Sequence, residues 1–142
     1  MTMAASYTAL YVHLVWGTAG REPWISEAIE APLLAAIADK CRKLRCALLA
    51  IGAMPDHVHV LASLSPAVAV SRLVQEVKGA SAHLVTHRLA PEISFRWQGG
   101  YGAFTLRDED TPVVRRYVLQ QKSHHATAAI RSAWEQADIL DA

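Results

Sequence analysis

The chain has 142 residues, 52% of them hydrophobic and 19% charged, a balance that supports one domain with a substantial core and excludes disorder over most of the length. Fourteen Lys and Arg against thirteen Asp and Glu leave a formal charge of +1, so a nucleic-acid partner must be gripped by a local basic patch and not by bulk charge. Cys41 and Cys46 are the only cysteines; lacking a second CxxC-type pair, they read as buried free thiols of a reducing compartment.

The N-terminus, MTMAASYTALYVHLVWG, lacks the basic start and long apolar stretch of a secretory signal, and no segment reaches the roughly 18 apolar residues of a membrane span. The expectation is a cytoplasmic chain, residues 1–142 forming a single domain. Residues 8–17 read as a strand, with Leu10, Val12, Leu14 and Trp16 on one face and Tyr11, His13 and Val15 on the other. After a loop with Gly and Pro, Ser26 offers a helix cap. Ile29, Leu33, Ile37, Cys41 and Leu44 then recur at helical spacing toward a basic C-terminal end.

CALLAIGAM and HVHVLASL are separated only by Pro55 and Asp56, the arithmetic of a β-hairpin. Ser65 and Pro66 mark the start of the next helix, striped by Val70, Leu73, Val77 and Leu84. Residues 93–106, ISFRWQGGYGAFTL, have strand-like ends around a Gly-rich centre and read as one bulged strand or two short ones joined by a turn. RDED is a surface loop. Thr111 then supplies a helix cap and Pro112 a first-turn proline for a last long helix over 111–134.

This order is the βαββαβ pattern of the α+β ferredoxin-like (RRM-like) fold: an antiparallel sheet with its helices on one face, here followed by an extra C-terminal helix that carries Tyr117. First and third strands are central neighbours in that fold. Val58, Val60 and Ala62 then face the helices while His57 and His59 project together from the opposite face, where only the last helix can cover them.

Two imidazoles at i and i+2 of a strand can reach one divalent cation, though HxH alone is equally the mark of hydrogen-bonded strand histidines. A histidine-triad nucleotide hydrolase would want a further His at position 61, where the chain has Leu61. On the last helix Tyr117 and Gln121 share a face, and His124 continues it. A phenol can attack phosphorus once the phosphate is polarised, and a cation held by His57, His59 and the Gln121 carbonyl would polarise it; otherwise Tyr117 is a packing tyrosine.

In order, YVHLVWGTAGREPWI, AMPDHVHVLASLSPAVAVSRLVQEVKG, FRWQGGYGAF and VVRRYVLQQKSHH closely resemble the IS200/IS605-type single-tyrosine HUH transposases, REP-associated tyrosine transposases included, over about residues 8–126. The resemblance implies a DNA transposase that cleaves and rejoins single-stranded DNA bearing hairpins, through a 5′-phosphotyrosine and a free 3′-hydroxyl. It implies Tyr117 as nucleophile, His57, His59 and Gln121 as ligands of Mg²⁺ or Mn²⁺, and a homodimer whose last helices exchange tyrosines between sites. VLQQ departs mildly from relatives with Asn before the Gln, so Gln120 competes with Gln121 for the ligand role; the family's i+4 spacing favours Gln121.

Candidate phosphate contacts are Arg72, Lys78, Arg96, Arg115, Arg116 and Lys122, each also readable as part of a solvated helix face. Trp97 and Tyr101 are able to stack on bases, but read first as core or dimer contacts. His13 reads first as structural and next as a support for a ligand; the doublet His124, His125 also matches the family. The competing reading is a domesticated protein that binds hairpin DNA or RNA without cutting it. A pure binder has no physical need of the combined His57, His59, Tyr117 and Gln121 set.

Overall fold

Alternating apolar side chains build the sheet at the centre of the computed structural model, which describes residues 5–121. Four strands, β1 (Tyr11–Gly17), β2 (Ala47–Met54), β3 (His57–Ser63) and β4 (Gly102–Leu106), pair antiparallel in the order β2-β3-β1-β4. Helices α1 (Glu27–Lys43) and α2 (Val70–Leu84) lie on one face of the sheet, and α3 (Thr111–Leu119) lies on the other. This is the ferredoxin-like arrangement expected from the element order.

Register sorts the two faces. Val12 pairs with Ala62, Leu14 with Val60 and Trp16 with Val58; all six join Leu33, Ile37, Leu73 and Val77 in the larger core. One residue out of phase, Val15 pairs with His59 and Gly17 with His57, which turns both histidines to the α3 side. There Ala50, Leu61, Val114 and Val118 form a second, smaller cluster. Cys41 and Cys46 are buried free thiols, and burial beside Cys46 pushes the Cys41 pKa up to about 11.

Four expectations need correction. Ser65 and Pro66 form a turn, in which the Ser65 hydroxyl accepts from the Ala67 amide at 3.3 Å, and α2 begins only at Val70. A serine whose side chain takes up a local amide stabilises a turn as readily as a helix start. Thr111 is the first residue of α3, and Asp110 occupies the cap position. The Gly-rich stretch gives a single five-residue strand plus one isolated bridge, Thr18 to Trp97. No helix among the described residues is long and apolar enough to cross a membrane. The helix expected over 111–134 ends at Leu119, where Gln120 leaves the helical conformation (φ −106°, ψ 31°), and everything beyond Gln121, Lys122, His124 and His125 included, lies outside the described residues.

Candidate functional site

β3 delivers His57 and His59 to the same side, with ring centroids 5.3 Å apart and both side chains buried. The two-residue turn Pro55–Asp56 puts an acid immediately before the first of them. Asp56 Oδ1 stands 2.7 Å from His57 Nδ1, and Arg21 Nε donates to Asp56 Oδ2 at 3.2 Å. Arg21 Nη2 also lies 3.2 Å from His57 Nδ1, but one ring nitrogen cannot donate to Asp56 and accept from Arg21 at once. The shorter, carboxylate contact decides: Nδ1–H donates to Asp56, and the imidazole lone pair is on Nε2. Arg21 adopts φ 56°, a left-handed conformation that costs a β-carbon residue about 1 kcal/mol or more, and from it the guanidinium reaches Asp56.

Burial alone would raise the Asp56 carboxyl, but hydrogen bonds from His57 and Arg21 outweigh it and bring the pKa down from 3.8 to about 2. The folded value is the lower one, so the stabilisation is complete above pH about 4 and disappears as the pH falls toward about 2. We expect it to amount to about 1–2 kcal/mol. Urea midpoints across that range should fall for the wild type more steeply than for Asp56→Asn; parallel falls would show that this carboxylate is not the group responsible.

His59 Nδ1 is 2.8 Å from Nε2 of His13, the buried histidine of β1, and the two rings meet edge to edge, centroids 5.1 Å apart and planes within 28°. Tyr117 is buried above them, its ring 5.7 Å from that of His59 and 6.3 Å from that of His13, edge-on in both cases. These are residues of one chain. The exchange of tyrosines implied by the resemblance is therefore not needed to bring the groups together.

α3 descends on the sheet at Gly52, the β2 residue paired with His59. A β-carbon at Gly52 would sit 2.3 Å from the Val118 carbonyl oxygen and 3.2 Å from Gln121 Cγ, so only glycine allows this approach. Gln121 is thereby laid over the strand position next to His59. Its Nε2 donates to the Tyr117 carbonyl at 3.1 Å, while its buried Oε1 has no hydrogen-bond partner among the described residues. A buried amide oxygen on the histidine face of the sheet is a donor suited to a divalent cation. Among the described residues no three His, Cys, Asp or Glu side chains form a metal-binding group, so the amide would have to complete the set.

The basic candidates divide between the two faces. Arg115 and Arg116 are on α3, with Leu49, Leu61 and Gln120, along a cleft of about 460 Å³; Arg115 Nε donates to the Leu49 carbonyl at 3.1 Å. Arg72 is exposed on α2, across the sheet from the histidines. Lys78 Nζ donates to the carbonyls of Gln98 and Gly100, both at 2.8 Å, and so ties down the Gly-rich loop. Arg96 is exposed in that loop, where its carbonyl accepts from the Ala19 amide. Trp97 packs on Trp16 and Phe95 and donates to Ser81 Oγ, which makes it a core residue; Tyr101 is half-buried against the same core. A cleft of about 710 Å³ between α1 and β2 is lined by none of the histidines.

Sequence reasoning missed Asp56 and Arg21. The usable signal for Asp56 is its place directly before the histidine pair, where a carboxylate can support a neighbouring imidazole as well as form a turn.

The family model described as "Transposase IS200 like" matches residues 6–121. The ISDra2 transposase TnpA of Deinococcus radiodurans is 25% identical over 118 residues, covering 79% of this chain and 84% of that protein. A crystal structure of a transposase-like protein from the same organism superposes with a TM-score of 0.64 at 24% identity, over 83% of this chain and 95% of the other. A REP-associated tyrosine transposase, solved bound to a REP hairpin, superposes with a TM-score of 0.65 at 18% identity, over 88% and 74%.

Proposed function

The chain belongs to the IS200-like family of transposases, and on that premise we propose that it cleaves and rejoins single-stranded DNA with Tyr117 as nucleophile and His57, His59 and Gln121 as the holders of a divalent cation, Mg²⁺ or Mn²⁺. The observation that carries this reading is the convergence of the buried Tyr117 ring, the paired imidazoles and the Gln121 carbonyl oxygen on the α3 face of one sheet. Nδ1 of each ligand histidine is engaged by a protein group, so Nε2 is the ligating nitrogen.

Such a cation, when bound, supplies Lewis-acid polarisation of the scissile phosphate. Tyr117 Oη attacks phosphorus in line; the new bond joins the phenol oxygen to the 5′-phosphate, the bond to the 3′ oxygen breaks, and that oxygen leaves as a hydroxyl. A second 3′-hydroxyl reverses the step and joins a new strand with no net loss of phosphoester bonds. Arg115 and Arg116, on the helix that carries the nucleophile, are the basic residues we place on the DNA backbone; Arg72, Lys78, Arg96 and Lys122 contribute less or elsewhere.

The substrate we propose is single-stranded DNA with hairpins, in line with the hairpin held by the REP-associated relative. A DNA substrate also goes with the cytoplasmic placement expected from the sequence, and we take residues 1–142 as one domain. We further propose a homodimer, and the Tyr117 ring standing 5.7 Å from that of His59 within one chain supports, against the exchange implied by the resemblance, a tyrosine that serves its own chain.

Incubation with labelled hairpin DNA and Mn²⁺, followed by a denaturing gel, should give a covalent protein–DNA adduct that chelation abolishes and that His57→Ala with His59→Ala lacks. A stable hairpin complex with no adduct under any metal condition would instead support the binding-only reading. Mixing Tyr117→Phe with the double histidine variant should not restore the adduct. Restoration would show that tyrosines are exchanged between subunits.

A further inference from the structure

The two proposed ligand histidines are buttressed differently. His57 donates Nδ1–H to a carboxylate, the usual support for a ligating imidazole, and Asp56 is anchored in turn by Arg21. His59 meets another imidazole, His13 Nε2, at 2.8 Å. One nitrogen of this pair donates and the other accepts, and the choice decides what His59 can do. If His13 Nε2 carried the hydrogen, His59 Nδ1 would be the acceptor, the His59 proton would sit on Nε2, and that nitrogen could not ligate.

Taking His59 as a ligand, on which this step rests, we infer that His13 is a positioning residue: its Nε2 accepts from His59 Nδ1–H and fixes His59 in the tautomer with the lone pair on Nε2. Strand register makes the contact. His13 pairs with Leu61, so His59 is its diagonal neighbour across the β1–β3 ladder, within reach of a ring but not of a short side chain. The rings of His13 and His59 meet edge to edge, their planes within 28° of each other, and the flanking rings of Phe104, at 6.0 Å, and Tyr117, at 6.3 Å, limit rotation of the His13 ring. Burial explains why the acceptor is an imidazole: His13 is 1% exposed, and a carboxylate there would pay a desolvation penalty that a neutral ring avoids, whereas Asp56 sits at a rim open enough to be charged.

Two measurements test the assignment. The first is ¹⁵N NMR of the metal-free wild-type protein at pH about 8, where histidines of ordinary pKa are neutral. It should find the His59 proton on Nδ1; a proton on Nε2 overturns the inference. The second is direct titration with Mn²⁺ of wild type, His13→Leu and His13→Gln, with circular dichroism confirming the fold. Leu offers no acceptor and should weaken Mn²⁺ binding by about 10–100-fold, while Gln, whose Oε1 can accept, should bind within a few-fold of wild type. Wild-type affinity in His13→Leu overturns the inference. If the wild type has the predicted tautomer yet binds no Mn²⁺, the relay stands and the metal reading of His57 and His59 falls.

Discussion

Tyr117→Phe should abolish covalent attachment to DNA, by about 10,000-fold or more, while leaving hairpin binding and the fold close to wild type. The substitution removes one oxygen and keeps the ring. That ring is buried beside His13 and His59 in edge-on contacts which phenylalanine reproduces, so the packing cost should stay within about 1 kcal/mol. Single-turnover adduct formation measures the first quantity, a hairpin titration the second and urea unfolding the third. An adduct from the phenylalanine variant would move the nucleophile to another residue. Loss of adduct together with loss of the fold would make Tyr117 a packing residue and leave its chemistry unsupported.

Gly52→Ala should be nearly as damaging, although Gly52 carries no chemistry. Its β-carbon would fall 2.3 Å from the Val118 carbonyl oxygen; a β-carbon has no rotamer to escape by and the oxygen is backbone, so α3 must move away from β2. Overpacking of this kind costs about 1–3 kcal/mol. The larger effect is on position: Tyr117 and Gln121 flank Val118 and move with it, and a displacement of about 1 Å in a reacting group is enough to slow a step by about 100-fold. The account therefore expects adduct formation to fall far more than the unfolding midpoint does. Wild-type rates in Gly52→Ala would mean that the approach of α3 to the sheet does not set the site.

The residues that could be read in the sequence are those whose role follows from local period. Alternation in HVHVLAS put both histidines on one face of a central strand, as β3 has them. The i to i+4 spacing on one helix is not what holds Gln121, since α3 ends at Leu119 and Gln121 returns to the Tyr117 carbonyl from beyond the non-helical Gln120. His13 had the right phase for that face, but nothing in β1 alone tells which histidine it meets, because the 2.8 Å contact depends on the β1–β3 register. Gly52 was illegible for the same reason: the helix that demands a glycine there, α3, comes two strands and a helix later in the chain. Arg21 is harder still, since a left-handed arginine reaching the turn at Asp56 leaves no pattern in the chain. The Ser65–Pro66 misreading shows the limit of capping signals, which describe a local hydrogen bond and not the structure that follows it.

The most direct measurement is a crystal structure of Tyr117→Phe with hairpin DNA and Mn²⁺, using anomalous scattering to locate the metal. The account predicts one Mn²⁺ on Nε2 of His57 and His59 and on Gln121 Oε1, touching a phosphate oxygen, with the substituted ring at position 117 of the same chain beside it. A well-occupied Mn²⁺ bound away from both histidines, with the DNA backbone following it, would contradict the account.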